Sequence, residues 1–510
     1  MEKRTILAIA LSFLVIFFWS KFMPKPEQTQ TAVVQQQAPV ADFPISKAET
    51  ITAASSQVVP DADVKTREYK IPGAILEVLE PQAVIKQATF DKYPKNPYIL
   101  NNSLYINNPS LIFSTKHDVT NGISYSYEND SCRVTKTIIS SNISHVMELR
   151  VKIENLSSSP LLFDLPIILG RFNLDQKSGS GQRFDDIVLA DKDKVMHPNF
   201  KKTAIFPEIK FLGMRDQYFC AIIQPESTGY SGIVNKVSDK IYDIGISTST
   251  LTIAAQSELI QKFKVYLGPQ DMDLISQANP QWGSIVYFGM FDIVAQVILS
   301  LLKFLFVIVK NWGLAIVLLS ILIYLVLFPL SVKQMKSMKE MQILQPKMEQ
   351  LRKQYGNDNK KLQEEMMKLY KEHKVNPFGG CLPMILQIPI FISLYQVLSR
   401  SIALKGASFM WIKDLSEPDR LFKLPVALPF IGEYFNILPI LMAIGMLIQQ
   451  KMSAVNATSS QSAEQQKIMM IVFPIMFGVM FYNVPAGLVM YWFLNSTLML
   501  LYQIKVMKSQ

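Results

Sequence analysis

Cysteine and histidine are scarce in this chain of 510 residues, which has three of the former and four of the latter. The cysteines form no Cys-x-x-Cys pair and no other zinc spacing, so the sequence predicts no metal site and implies no cofactor. A disulfide between Cys132 and Cys220 stays open. His117, His145 and His197 lie in the same long polar region, but no spacing pairs them with a carboxylate, so no catalytic residue is predicted.

Charged residues are missing from the longest apolar runs. The chain is 49% hydrophobic and has a mean hydropathy of +0.19. A chain of this length and composition is too large and too apolar to form one soluble domain. Six segments have the composition of membrane spans, two of them only about fifteen residues long. The segments are Thr5 to Ser20, Trp312 to Leu330, a run opening at Asn376, and runs near 435–448, 468–482 and 485–504.

The sequence of residues 1–61 predicts an anchor followed by a tether. Residues 1–23 begin with Met-Glu-Lys-Arg and contain an apolar run with no prompt Ala-x-Ala cleavage site, which favours an uncleaved anchor over a signal peptide. Residues 24–61 are rich in Gln, Pro, Ala, Thr and Ser and show no apolar periodicity, so they predict a flexible linker.

Residues 62–270 alternate between apolar and polar side chains. Leu149, Val151 and Ile153 alternate with charged neighbours, and the stretch from Lys262 to Leu267 does the same. With turn signals such as Asn121-Gly122, this pattern predicts an antiparallel β-sandwich. The next segment, 280–310, is mostly apolar but carries Asp292, Lys303 and Lys310, so we expect a helix lying along the membrane interface.

Loop charges orient the predicted bundle at 311–505. The hairpin at 331–375 has eleven basic and six acidic residues and therefore belongs in the cytoplasm, whereas the loop from Arg400 to Asn436 is nearly balanced. This arrangement predicts a multi-pass membrane protein with both termini in the cytoplasm and the large domain outside. The chain ends in a short basic tail, 506–510.

The cytoplasmic hairpin has apolar residues at helical spacing on both of its arms. Two antiparallel helices would bury them against each other, either as a plain coiled-coil spacer or as a docking platform for a partner chain. The predicted residues are Met341, Leu344, Met348 and Leu351 on the first arm, and Leu362, Met366 and Leu369 on the second.

The predicted spans contain polar side chains and many methionines. Nineteen of the 25 methionines follow residue 280, which suits either adaptable apolar walls or ordinary gap filling. Ser320, Tyr324, Gln387 and Asn495 each need a polar partner or water inside the membrane. Interhelical hydrogen bonds would satisfy any one of them, whereas several together would make a hydrated pocket.

Several short motifs resemble the bacterial YidC insertases, relatives of the Oxa and Alb proteins of organelles. The resemblance implies an α-helical polytopic membrane protein of six spans, with a five-helix core around a hydrophilic groove and an inserted periplasmic β-supersandwich. It also implies insertion of nascent membrane proteins into the bacterial inner membrane without nucleotide hydrolysis. The motifs are Trp312-Gly313, Phe328-Pro329-Leu330, Leu344-Gln345-Pro346-Lys347, Asn376-Pro377-x-Gly379-Gly380-Cys381, Gln387-x-Pro389-Ile390-Phe391 and Pro485-x-Gly487-Leu488.

The resemblance also implies where clients contact the groove, with one departure. The arginine that the family places in its groove falls here on Tyr324, so we expect hydration and hydrogen bonding, with a field from the basic hairpin, to take over its role. Tyr324, Gln387 and Asn495 complete the predicted groove. The positions carried over from the family are Ser320, Phe391, Met442, Met480, Tyr491 and Trp492.

The implied partners are nascent membrane proteins, the SecYEG and SecDF translocon components, the lipid bilayer and, through so short a tail, only weakly the ribosome. No nucleic acid is expected to be read directly. Two other functions stay open. One is a polytopic transporter, although such proteins usually have ionisable groups near mid-membrane and none is evident here. The other is a membrane-tethered carbohydrate-active β-domain, which fold analogy alone supports.

Overall fold

The computed structural model describes residues 65–80, 82–108, 111–113, 115–173, 185–191, 194–198, 202–355, 358–373, 375, 382–428, 432–453 and 471–508. The predicted anchor, the predicted linker and the 376–381 motif lie outside the described residues. The strands of the first half are β1 Lys65–Ile71, β2 Ala74–Glu80, β3 Val84–Phe90, β4 Tyr93–Ser103, β5 Tyr105–Ile106, β6 Thr115–Val119, β7 Gly122–Glu128, β8 Cys132–Ser140, β9 Val146–Asn155, β10 Leu161–Phe163, β11 Ile167–Asn173, β12 Asp186–Asp191, β13 Lys194–Met196, β14 Ala204–Phe206, β15 Ile209–Arg215, β16 Phe219–Pro225, β17 Tyr230–Ser238, β18 Ile241–Thr248, β19 Leu251–Ile253 and β20 Glu258–Pro269.

These strands build the predicted antiparallel β-sandwich. A nine-stranded sheet in the order β13-β12-β15-β16-β20-β9-β8-β7-β6 faces a five-stranded sheet, β14-β17-β18-β11-β5, and a four-stranded sheet, β1-β2-β3-β4, while β10 pairs with β19. Leu149, Val151 and Ile153 point into the shared core, as their alternation predicts, and the charged residues between them lie at the surface. Asn121 adopts a left-handed φ of 57° in the turn that joins β6 to β7.

The alternation fails in the middle of the nine-stranded sheet because both of its faces are covered there. In β16, Phe219, Ala221 and Ile223 join the sandwich core. Cys220 and Ile222 point the other way, into a second apolar cluster that continues into the helical half of the chain. The possible disulfide is thereby excluded, since Cys132 lies in the first cluster and Cys220 in the second, and both are free and buried.

The second half is helical, with one small hairpin. Among the described residues, three helices are long and apolar enough to cross a membrane, Asp292–Val309, Trp312–Lys333 and Ala486–Lys505, and two are shorter, Leu438–Lys451 and Ile471–Met480. The elements are α1 Met272–Ala278, a 3₁₀ turn Pro280–Ile285, α2 Asp292–Val309, α3 Trp312–Tyr355, α4 Asn359–Glu372, α5 Leu382–Arg400, a 3₁₀ turn Ile402–Leu404, strands β21 Phe422–Leu428 and β22 Gly432–Phe435, α6 Leu438–Ser453, α7 Ile471–Met480 and α8 Ala486–Lys508.

Helix α2 follows the base of the β-sandwich. Lys303, eleven residues into the helix, forms ion pairs of 2.8 and 3.5 Å with Asp273 and Asp271 at the start of α1. The helix ends at Lys310, whose φ of 54° turns the chain sharply, and the Phe306 ring stacks on Trp312 with centroids 4.0 Å apart. These contacts tie α2 to the start of α1 and to the start of α3.

Two buried arginines lock the β-sandwich to the helices. Arg215 of β15 donates to the carbonyls of Ile285 and Tyr287 at 2.6 and 3.0 Å and to the Asp186 carboxylate at 2.5 Å. Arg400, the last residue of α5, donates to the same Tyr287 carbonyl at 2.8 Å. One backbone oxygen thus joins the sheet, the connecting segment and helix α5.

Replacing Arg215 with methionine is expected to destabilise this junction by about 3–5 kcal/mol, because it removes the buried cation that pairs with the Asp186 carboxylate and leaves the Ile285 carbonyl without this donor. Urea unfolding of the full-length protein in detergent micelles, followed by pulse proteolysis, measures the change. Arg150→Met is the matched control, since Arg150 is 40% exposed and pairs with Glu148 at the surface; we expect it to cost less than about 0.5 kcal/mol. Equal effects of the two variants would contradict a locking role.

Candidate functional site

Helices α3 and α8 lie side by side and run in the same direction. Tyr324 is twelve residues into α3 and donates its hydroxyl proton, at 3.4 Å, to the carbonyl of Leu498, which is twelve residues into α8. One turn further on, the Phe328 and Tyr502 rings meet edge to face at 4.8 Å. At 1.5 Å per residue, Tyr324 lies about 18 Å below the start of its helix. Its polar neighbour is thus a helix backbone, at the outer limit of hydrogen-bonding distance.

A polar group bridges α5 and α8 inside the bundle. The Gln387 side-chain amide donates to the Tyr491 hydroxyl at 2.7 Å. Tyr491 is fully buried, and its hydroxyl also forms a hydrogen bond with the side chain of Asn495, one turn along α8. Gln387 and Asn495 are only half-buried. The structure therefore brings together three of the predicted groove residues, with their polar atoms mutually bonded and two of the three side chains accessible.

Other predicted groove residues have different surroundings. Ser320 is fully buried and its hydroxyl donates to the Ile316 carbonyl of its own helix at 2.7 Å, so the hydroxyl needs no water. Met442 is also fully buried, in the packing between α6 and its neighbours. Met480 is 55% exposed at the end of α7. These three side chains line no single open surface.

An aromatic cluster fills the space next to the polar group. The predicted residues Phe391 and Trp492 meet edge to face, with ring centroids 5.3 Å apart. Phe473 and Phe477 of α7 and Phe481 just after its end add three more rings, whose spacing of four places them in one row. Phe477 and Phe481 both contact Trp492, at 5.6 and 5.4 Å. The sequence analysis did not identify this row, although a phenylalanine at every fourth position is a pattern that places three rings on one side of a helix.

The loop after α5 fixes the outer ends of α3 and α8. Gly313 lies so close to Phe409 that a Cβ atom at 313 would overlap the phenyl group. At the start of α8, the backbone amides of Ala486 and Gly487 donate to the carbonyls of Glu417 and Leu415 at 2.7 and 3.0 Å. The Trp312-Gly313 and Pro485-x-Gly487 motifs are thus sites of close backbone packing.

The same loop caps α6. The Asp419 carboxylate accepts from the backbone amides of Ile437 and Leu438 at 2.9 Å each, which satisfies two of the donors that a helix start leaves unpaired. Burial raises the pKa of Asp419 above its ordinary value, and these amide bonds oppose that rise. The bundle therefore has a well-bonded outer rim.

The cytoplasmic hairpin extends α3 without a break and folds back through α4. Leu344 and Leu369 are buried between the two helices, and Met341, Met348, Leu351 and Met366 pack around them. Leu362 is half-buried and lies outside this cluster. Two members that the sequence did not single out are Tyr370 and Val375. Tyr370 donates to the Met348 sulfur at 3.6 Å.

Comparison with known proteins assigns both halves of the chain. Residues 96–301 match the family model "YidC periplasmic domain", and residues 304–510 match "60Kd inner membrane protein". The membrane protein insertase YidC of Syntrophobacter fumaroxidans is 31% identical, with 98% of each chain covered. The chain belongs to the YidC family of membrane protein insertases. YidC of Legionella pneumophila (strain Paris) is 30% identical over 98% of this chain and 96% of its own length.

Among solved structures, a crystal structure of an active YidC insertase with its first transmembrane domain resolved covers 86% of this chain and 94% of its own, at 19% identity and a TM-score of 0.38. Members of the YidC family are inner-membrane insertases and not enzymes, so the transporter and carbohydrate-enzyme alternatives are wrong. Within the described part of the chain, no three His, Cys, Asp or Glu side chains are grouped so as to hold a metal ion.

Proposed function

We propose that this YidC protein lowers the barrier to membrane insertion with the polar group formed by Gln387, Tyr491 and Asn495. The observation that carries the proposal is the 2.7 Å hydrogen bond between Gln387 and Tyr491, which joins two helices inside the bundle. A polar segment crossing the membrane can exchange its hydration for bonds to these side chains, because two of them are accessible.

The energetics require no fuel for the partition step. Burying about twenty apolar residues already favours the inserted state, and the obstacle is the polar segment that must cross. A polar surface that reaches part of the way shortens the apolar path. Helix α6 helps, since its sixteen residues span about 24 Å, less than a typical hydrocarbon core, and short helices thin the surrounding membrane.

The aromatic row of α7, with Phe391 and Trp492, forms the apolar side of the proposed groove. Large flat rings offer contact area to client helices of many sequences at little conformational cost. Polar and aromatic surfaces therefore adjoin along α8, the first for the polar segment of a client and the second for its apolar helix.

Water accessibility tests the polar surface directly. Cysteine at 387 or 495 is expected to react with a membrane-impermeant thiol reagent added from the cytoplasmic side, whereas cysteine at 325 is not, because Leu325 is 59% exposed on the outside of α3 and faces lipid. If the cysteine at 325 reacts with the reagent as fast as the cysteine at 387, the proposed groove is wrong.

Tyr324→Ala is expected to reduce insertion of a single-span client about fivefold, the equivalent of one hydrogen bond of about 1 kcal/mol. Tyr324→Phe should be similarly impaired, because it loses the hydroxyl, and Tyr324→Arg should be tolerated. Protease protection of the client in liposomes containing the purified protein measures insertion. The control is Leu325→Ala, one residue along the same helix. Normal activity of the alanine variant at 324 would refute a role in the groove.

For topology, we propose six spans, cytoplasmic termini and a periplasmic β-sandwich. Support comes from the basic hairpin, which belongs in the cytoplasm, and from α2. By length and composition α2 qualifies as a span, but its ion pairs with α1 hold it against the β-sandwich, which favours a position in the interface. Protease digestion from each side of oriented vesicles tests this arrangement.

Cooperation with the Sec translocon and the ribosome is likewise part of the proposal. The exposed faces of α3 and α4 in the hairpin carry most of the cytoplasmic basic charge, which suits electrostatic contact with ribosomal RNA. Such contact should weaken steeply as salt concentration rises. Co-sedimentation of the protein with ribosomes over a range of salt concentrations measures it.

A further inference from the structure

An apolar β-hairpin projects from the loop between α5 and α6. This outer hairpin consists of Leu421, β21 (Phe422–Leu428) and β22 (Gly432–Phe435), and the Phe422 ring stacks on Phe435 with centroids 4.9 Å apart. Its side chains are largely uncovered within the described part of the chain, at Leu421 (36% exposed), Phe422 (51%), Val426 (69%) and Tyr434 (36%).

The base of the outer hairpin is fixed to the outer rim of the bundle. The Arg420 amide donates to the Asn436 side chain at 2.9 Å, and Asn436 in turn donates to the Tyr482 carbonyl at 2.7 Å. Helix α6 begins two residues later, at Leu438. Ile440, Ile444 and Ile448 then form an exposed stripe at helical spacing, which is the lipid-facing side of α6. The outer hairpin immediately precedes this helix in the chain, so its exposed apolar side chains lie at the end of α6 where the stripe begins.

The chemistry of the outer hairpin favours lipid over a protein partner. Its sequence carries only two charges, Lys423 and Glu433, which pair with each other at 3.3 Å. Pro425 has no amide proton, and the β21–β22 pairing is interrupted between Lys423 and Leu428, so β21 is a poor edge for strand addition. The exposed rings of Phe422 and Tyr434 suit the membrane–water interface, where membrane proteins carry belts of aromatic side chains.

We propose that the outer hairpin inserts its apolar side chains into the outer leaflet of the bilayer. This role is separate from insertion of clients. The loop that carries the hairpin also holds Phe409 against Gly313 and supplies Leu415 and Glu417 to the start of α8. A lipid anchor at this point therefore fixes the depth of the rim that aligns α3 with α8.

Depth-dependent quenching tests the anchor in the full-length protein. Val426→Cys, in a chain that also carries Cys381→Ser, is labelled with an environment-sensitive fluorophore; Cys132 and Cys220 are 6% and 0% exposed and stay unlabelled. The protein is placed in phosphatidylcholine–phosphatidylglycerol vesicles that contain lipids spin-labelled near the top of the acyl chain. We expect quenching several-fold stronger than for Val119→Cys, which is 41% exposed at the far edge of the nine-stranded sheet. Leu421→Cys provides a second reporter if the first variant folds poorly.

Two outcomes would overturn the proposal. In the first, the label at 426 is quenched no more than the label at 119 and is fully open to soluble iodide, which places the hairpin in water. In the second, unlabelled Val426→Cys chains oxidise to dimers in proportion to the protein-to-lipid ratio, which makes a second copy of the chain the occupant. Either result leaves the groove untouched, because the assay reads depth and not insertion.

Discussion

Gly313→Ala is expected to destabilise the helical bundle by about 1–3 kcal/mol and to abolish most insertion activity. Alanine normally strengthens a helix by about 1 kcal/mol relative to glycine. Here the added methyl group would overlap Phe409, including its Cβ atom, so rotation of the ring alone does not relieve the contact. Either the loop after α5 or the start of α3 must move, and overpacking of this kind costs about 1–3 kcal/mol or more.

The loss should spread beyond the site of substitution. The displaced loop also contains the carbonyls that accept hydrogen bonds from the first backbone amides of α8. We therefore expect a lower thermal transition in detergent micelles, together with loss of client protection in liposomes. Gly445→Ala in α6 is the matched control, since a methyl group there meets nothing within 4 Å, and it should be neutral or slightly stabilising. A thermal transition for Gly313→Ala as high as that of the control would show that the rim tolerates displacement.

Lys136 is expected to make the stability of the β-sandwich rise with pH between 7 and 10. It lies in β8 with 0% exposure, and its ammonium donates to the carbonyls of Ala83 and Leu104, at 2.5 Å each. Both acceptor residues have left-handed φ angles, 53° and 60°, so Lys136 ties together two tight turns. Burial lowers the pKa of Lys136 to about 7 from its ordinary value of 10.5.

The sign follows from proton binding. Between pH 7 and 10 the unfolded chain keeps the lysine proton while the folded chain has released it, so raising the pH favours the folded state. Over these three pH units the free energy of unfolding rises by about 4 kcal/mol. Below pH 6 the lysine is charged in both states and contributes no slope.

Lys136→Met removes this dependence and leaves both carbonyls without a donor. Urea unfolding with pulse proteolysis of the periplasmic domain, repeated from pH 6 to pH 10, isolates the effect as the difference between the original protein and the variant. That difference should grow with pH. Lys152→Met is the control, because Lys152 pairs with Glu154 and Glu258 at the surface. A difference for Lys136→Met that is flat across this range would contradict a depressed lysine pKa.

Periodicity was sufficient to predict the architecture, because a sandwich that faces water on its outer side must alternate. It could not predict β16, whose outward side chains Cys220 and Ile222 are apolar because a second domain covers them. It was equally silent on Lys136, which occupies an inward register position between Val134 and Ile138. A charged residue there is explained only by two carbonyls that tertiary structure brings within reach.

Within the bundle, the family motifs predicted residues more readily than the contacts between them. Gln387 and Tyr491 are 104 positions apart in the sequence, and no local sequence pattern predicts the hydrogen bond between them. Ser320 was assigned to the groove from the family resemblance, and its polarity implied only that its hydroxyl needs a partner, which the carbonyl of its own helix supplies. Whether any of these side chains touches a client stays a prediction.

Helix α3 is a single element of 44 residues from Trp312 to Tyr355, about 66 Å long, with prolines at 329 and 346. The chain stays helical from the membrane wall that carries Tyr324 to the arm that packs against α4. Bending concentrates at the turns preceding the two prolines, since each lacks an amide proton. The arm and the membrane wall are therefore parts of one helix, and Pro329 and Pro346 are the points at which the arm can change direction relative to the wall.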